Sequence, residues 1–307
     1  MKREVQVKEI IESLSEQYRV LGSINRCVRS AYPIDQADDD SLCYCRSKGE
    51  QALEMIRSSK AAVIVCLDSI ELSDVDYQDK TLIQVANPRL TFSRLLARYF
   101  LPDGAKTGIH PTAIVDEKAR IGEKVYIGPY SYIGDCEIGE GVIIDSHVHI
   151  HDGTRIGKNV LIHPGVVIGT VTVAFERNDK EELEWFPQLG GVIIEDDVEI
   201  GANTVIARGP LERSDTIIGK GTKLDTLIHV GHGVRIGKNC IVVCLTSIFG
   251  RVKIGDCTML SSMVCIREGV TVGSRVLVGM GSMVLEDVPD NLVVVGTPAK
   301  PIRKNIL

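Results

Sequence analysis

From Ile218 onward an aliphatic residue returns at every sixth position: Ile218, Leu224, Val230, Ile236, Val242, Ile248, Ile254, Leu260, Ile266, Val272, Val278 and Val284. If Leu, Ile and Val fill about a third of positions, twelve such hits by chance have odds on the order of one in a million. The register also runs through Ile138, Ile144, Ile150, Ile156, Ile162 and Ile168, and shorter runs (Val115, Ile121, Ile127, Ile133; Ile194, Ile200, Ile206) repeat it with shifts between them. A period of six fits neither a helix nor a simple alternating strand, so the chain must turn sharply about once per hexad. Three short flat segments then close one triangular coil. The 25 aligned sites imply about eight coils, a solenoid rather than a globule.

Glycine follows the aliphatic site repeatedly (Gly122, Gly128, Gly134, Gly139, Gly157, Gly201, Gly219, Gly237, Gly255, Gly273), as a corner needing close approach or positive φ would require. Stacked aliphatic hexads with glycine corners account for 29 Gly beside only 5% aromatic residues in 307. The balance of 35 basic and 41 acidic residues gives a net charge of −6 with no basic cluster, which argues against a nucleic-acid footprint or a polybasic membrane anchor. The start, MKREVQVKEIIESL, is charged where a signal peptide is apolar, and no window approaches the ~18 apolar residues of a membrane span. A cytoplasmic protein is expected. Nine cysteines form an odd set without a C-x-x-C pair, which reads as reduced, mostly buried thiols rather than disulfides or a structural zinc site.

Residues 1–105 lack the repeat and read as a small α/β domain: an amphipathic helix in VQVKEIIESLSEQY, buried strands in AAVIVCL (61–67) and TLIQVA (81–86), and a helix over 91–100 behind Asn87 and Pro88. LPDGAKTG (101–108) is the linker. The coil domain spans 106–285, interrupted over 170–190 by a loop holding the only Trp (Trp185) with Phe175 and Phe186, and 286–307 form a C-terminal tail. A long loop leaving a rigid solenoid usually carries function, so this one is expected to overhang a ligand groove; an edge-packing flap is the plainer reading.

Three histidines, His147, His149 and His151, alternate around the inward Ile150 and fit either a metal site or a polar outer face. His232 lies just past Val230 between two glycines, where a turn presents an imidazole with little cover. It fits a general base that deprotonates an attacking amine, or a satisfied structural histidine. Asp225, seven residues earlier, is placed to orient an acceptor or hold a neighbouring proton. Cys240 and Cys244 lie close enough in sequence to His232 to raise a cysteine nucleophile as an alternative.

The hexads resemble those of the hexapeptide-repeat acyltransferases, whose fold is a left-handed parallel β-helix, usually trimeric; crossover physics alone favours right-handed turns. NPRLTFSRLL, HPTAIVDEKARIG, the segment FPQLGGVIIEDDVEIGANTVIARG and KLDTLIHVGHGVRIGKN narrow this further, up to about residue 285. Together they resemble the UDP-3-O-acylglucosamine N-acyltransferases of lipid A synthesis. That resemblance implies His232 as base, Asp225 as its acidic helper, Gly250 N–H as oxyanion donor, Met283 as a gauge of acyl length, and Tyr44 and Phe175 toward the nucleotide sugar. It also shows departures. Glu50 occupies the second uracil-stacking position, a second active-site histidine is replaced around Ile266 to Gly269, and the helical extension that engages acyl carrier protein is absent. The ending VVVGTPAKPIRKNIL is similar to those of enzymes that use acyl-CoA, with Lys300, Arg303 and Lys304 toward the coenzyme phosphates.

The reading is therefore a trimeric N-acyltransferase of a nucleotide-linked amino sugar, with acyl-CoA favoured over acyl-ACP (acyl carrier protein) as co-substrate. No tightly bound cofactor or metal, nucleic acid or membrane span is expected. The alternatives are the lipid A enzyme itself, using acyl-ACP on an O-acylated UDP-glucosamine, and a non-catalytic or metal-binding solenoid.

Overall fold

A computed structural model describes residues 4–101, 104 and 106–305. Pro102, Asp103 and Ala105 of the expected linker, the first three residues of the charged start, and Ile306 and Leu307 of the tail lie outside the described residues. The chain divides into two compact units, one ending at Gly104 and the other comprising the rest.

The first unit is a five-stranded sheet in the order Tyr18–Leu21, Thr81–Val85, Val63–Leu67, Ser41–Tyr44, Ser30–Ala31, with only the first strand antiparallel. Val63–Leu67 is almost wholly buried, as its continuous apolar run requires, and Thr81–Val85 is buried throughout, with Gln84 satisfied by donating to the Ile70 carbonyl at 2.8 Å. The helix Pro88–Tyr99 starts where Asn87 accepts from Leu90 N–H with Pro88 in its first turn. The expected helix over residues 5–18 is shorter: Val5–Gln6 pairs with Cys27–Val28, and only Val7–Glu12 is helical. Strand pairing captures its β-branched start, and the Ser13 hydroxyl donates back to the Ile10 carbonyl where the helix ends.

The second unit is a left-handed parallel β-helix with a small N-terminal α/β unit before it. Its three flat faces hold eight, eleven and nine strands, and each coil visits the eight-, eleven- and nine-strand faces in turn. Every ladder residue from Ile218 to Val284 is buried. A second buried stack, two positions before the ladder, is masked in the aliphatic period because it mixes Val and Ile with Thr, Cys and Ser (Thr222, Ile228, Val234, Cys240, Thr246). Its hydroxyls are satisfied between coils: Thr222 Oγ1 donates to the Gly237 carbonyl at 2.8 Å and accepts from Cys240 N–H at 3.0 Å.

The glycines after the ladder residues serve close approach, not positive φ. A Cβ on Gly219 would lie 2.5 Å from the backbone of Gly237 in the next coil. The left-handed backbone falls two residues later, often without glycine, as at Asn239 (φ 53°) and Leu245 (φ 61°).

Both large interruptions leave the corner between the nine- and eight-strand faces. The first joins Val167–Thr170 to Val192–Ile194, the second Val205–Ala207 to Thr216–Ile218, and Gly190 N–H bonds Gly209 O between them at 3.1 Å. The first carries a hairpin, Phe175–Arg177 with Leu183–Trp185, in which Phe175 opposes Trp185. Residues 286–307, set apart above as a tail, add Leu292–Val295 and the antiparallel Lys300–Lys304 to the eleven-strand face.

Candidate active site

His232, Gly250 and Glu268 occupy the same position, two residues past the ladder, in three successive coils at the corner between the nine- and eight-strand faces. The His232 ring lies along this column. A Cβ on Gly250 would come within 2.5 Å of its Cε1 and Nε2 atoms, so the ring packs where only glycine leaves room. Its side chain is 21% exposed, and Nε2 stands 3.6 Å from Glu268 Oε1, which forms an ion pair with Arg251 Nη2 at 2.8 Å. Nδ1 is buried and bonded to nothing among the described residues. Gly250 N–H likewise donates to no acceptor among them, leaving a fixed free donor beside the ring. The second insertion closes the corner from one side: Pro210 Cδ would lie 3.5 Å from a Cβ on Gly233.

Asp225 is not part of this column. It follows Leu224 on the eleven-strand face, so one whole face separates it from His232 within the chain. Its carboxylate accepts from Thr226 N–H at 2.8 Å and Cys244 N–H at 3.3 Å. It lines a hollow of about 460 Å³ with His163, Glu199, Lys223 and Ile241, in which His163 Nε2 lies 3.0 Å from Glu199.

In the first unit Tyr44 lines a hollow of about 490 Å³ with Tyr32, Arg46, Met55 and Phe92. The ring beside Tyr44 is Phe92, with centroids 4.9 Å apart, while Glu50 borders a different hollow with Leu53 and Arg57. Phe92 stands in NPRLTFSRLL, and the helical phase placing Leu95 inward was the signal that could have found it.

The three alternating histidines do not converge: His147 stacks on Tyr130 at 5.2 Å at one corner, while His149 lies between Tyr132 and His151. Among the described residues no three His, Cys, Asp or Glu side chains are grouped to hold a metal. All nine cysteines are free and five are buried. Burial pushes the Cys240 thiol up to about 11, the wrong direction for a nucleophile, and Cys244 sits beside Asp225 rather than His232. Met283 faces outward on the nine-strand face, three coils beyond the His232 coil. Phe175 is exposed on the hairpin, and Lys300, Arg303 and Lys304 are exposed on the terminal strand. No helix is long and apolar enough to cross a membrane among the described residues.

Residues 135–170 match the family described as bacterial transferase hexapeptide (six repeats). Among solved structures, LpxA from Acinetobacter baumannii is 30% identical with a TM-score of 0.56, covering 63% of this chain and 73% of that one. The UDP-N-acetylglucosamine O-acyltransferase of Moraxella catarrhalis is 27% identical with a TM-score of 0.59, covering 64% and 74%. The UDP-3-O-acylglucosamine N-acyltransferase of Rhizobium meliloti (strain 1021) is 32% identical over 97% of this chain and 90% of its own length. The chain belongs to the UDP-3-O-acylglucosamine N-acyltransferase family. A Legionella pneumophila (strain Paris) member is 34% identical over 76% of this chain and 69% of its own. The protein is therefore an acyltransferase.

Membership in the UDP-3-O-acylglucosamine N-acyltransferase family also corrects the sequence reading. An enzyme favouring acyl-CoA, set apart from the lipid A enzyme, is overturned, because the similarity to proteins of that name runs through nearly the whole chain. The short basic ending had weighed toward the coenzyme. In the structure it is a strand completing a solenoid face, so the segment has a structural use that needs no coenzyme.

Proposed function

We propose that this protein transfers an acyl group from acyl carrier protein to the amine of a UDP-3-O-acylglucosamine, with His232 as general base. The observation that carries the reading is the column in which the His232 imidazole lies against Gly250 and its free N–H. A base within one residue's width of a fixed donor is what acyl transfer to an amine requires. Nε2 takes a proton as the amine nitrogen bonds to the thioester carbon, Gly250 N–H meets the developing oxyanion, and the C–S bond breaks. The proton leaves on the thiol sulfur.

Tyr44 and Phe92 offer rings for the uracil, and Phe175, exposed on the hairpin, is the candidate for the sugar side. Met283 bounds the acyl chain roughly 14 Å along the axis from the His232 coil, at about 4.8 Å per coil. Lys300, Arg303 and Lys304, exposed on the terminal strand, offer positive charge to the donor. A cyclic trimer completes the cleft, bringing a neighbour's Asp225 corner toward His232, and the exposed Leu227, Leu245 and Met263 along that same corner support such burial.

The test is transfer assayed by mass spectrometry with acyl-carrier-protein thioester and UDP-3-O-acylglucosamine. One acyl group gained on the amine is expected. Transfer only to a hydroxyl, or no transfer with this pair, overturns the proposal.

A further inference from the structure

The same corner carries a charged pair that the proposed mechanism has not used. Glu268 Oε1 faces His232 Nε2 at 3.6 Å and is held by Arg251 Nη2 at 2.8 Å, while the Glu268 side chain remains 46% exposed. At 3.6 Å a neutral imidazole and a carboxylate are not yet hydrogen-bonded. The gap closes favourably only when Nε2 carries a proton, because a charge-assisted N–H···O bond is shorter and about twice as strong as a neutral one. No other carboxylate lies within ion-pair distance of His232 among the described residues. Nδ1 is buried without a partner, and Asp225 of the same chain stands on another corner.

We infer that Glu268, fixed by Arg251, is the counter-charge for the His232 imidazolium formed during acyl transfer. It is a positioning residue, acting through the base. The inference rests on His232 being the general base. The amine nitrogen bonds to the carbonyl carbon, its proton moves to Nε2 facing Glu268, and the proton then passes to the sulfur as the C–S bond breaks. The carboxylate exchanges no atoms and remains ionised throughout, so the step balances without a further reactant. Arg251, ion-paired with Glu268 at 2.8 Å, keeps the carboxylate at the column when the ring is neutral.

Sequence spacing contained this arrangement in outline, since 232, 250 and 268 are equivalent positions once three hexads are assigned to a coil. What it did not contain was the ring's direction along the column, which depends on the missing side chain at Gly250.

The experiment compares the full-length wild-type protein with Glu268→Gln, Glu268→Asp, Arg251→Met, His232→Ala and the double variant His232→Ala/Glu268→Gln. Acyl transfer is measured under steady-state and single-turnover conditions, and folding by circular dichroism. Glu268→Gln is expected to lower kcat about ten- to a hundredfold, the range for losing a hydrogen bond to a charged group, with KM for both substrates little changed. Glu268→Asp should recover part of kcat and Arg251→Met should lose less than Glu268→Gln. In the His232→Ala background, Glu268→Gln should cost no more than about twofold, because the charge it answers is gone. Wild-type kcat in folded Glu268→Gln, or an equal loss in both backgrounds, overturns the inference while leaving the base in place. Near-full activity in His232→Ala would instead overturn the base assignment on which the inference stands.

Discussion

His232 rests on a glycine, and that contact makes two residues answer for one function. His232→Ala should fold normally and lose about 10²–10⁴-fold in kcat, the usual worth of a general base, as checked by steady-state assay. Gly250→Ala should also fall at least tenfold, but by a different route: its Cβ enters the space of Cε1 and Nε2 and turns the ring away. A crystal structure of that variant with His232 undisturbed would contradict the steric account and leave the free N–H to explain any loss. At this scale the sequence was informative about His232, whose flanking glycines mark an uncovered turn. It carried the equivalence of positions 232, 250 and 268 and the helical phase of Phe92, but not which side chains those positions bring into contact. Phe92 meets Tyr44 from an element more than forty residues away, and Glu268 meets His232 only through coil stacking.

The coil is held by two stacks with different chemistry. Ile248→Ala removes a fully buried ladder side chain and should cost about 2–5 kcal/mol in denaturant unfolding. Thr222→Val keeps the shape but strands Gly237 O and Cys240 N–H, so about 1–3 kcal/mol should be lost where a packing-only view expects none. The first stack shows in the six-residue period because its members are all aliphatic; the second is interrupted by threonine and serine, which hydropathy alone assigns to the surface. Acid should weaken these coils. Burial holds the His229 imidazole below its ordinary value, and burial followed by the charge of His149 does the same for His151. The unfolded chain therefore binds protons more readily than the native one. Stability should be flat above about pH 6.5 and fall below it, and His229→Gln should flatten part of that fall in thermal melts.

At the scale of the whole molecule, repetition made the solenoid legible, because each coil restates the same packing problem and errors in one hexad are outvoted by its neighbours. Assembly has no such redundancy. The proposed trimer rests on a few side chains, Leu227, Leu245 and Met263, each exposed and each in left-handed backbone that bulky residues rarely adopt. Leu245→Glu with Met263→Glu should convert a trimer to monomer in light scattering and abolish acyl transfer, while the circular dichroism of the solenoid stays unchanged. A wild-type monomer at working concentration would remove the shared cleft.

The glycines that let one coil lie against the next also fix the pitch of the stack, since nothing larger fits between them. Distance along such a molecule is digital. If Met283 ends the acyl chain that begins near His232, backbone changes can lengthen or shorten that span only by a whole coil, roughly 4.8 Å at a time. Finer adjustment falls to the size of one outward side chain, so exchanging Met283 for Ala or Trp should move the preferred chain by a few carbons where insertion of a coil would move it by a larger, fixed step.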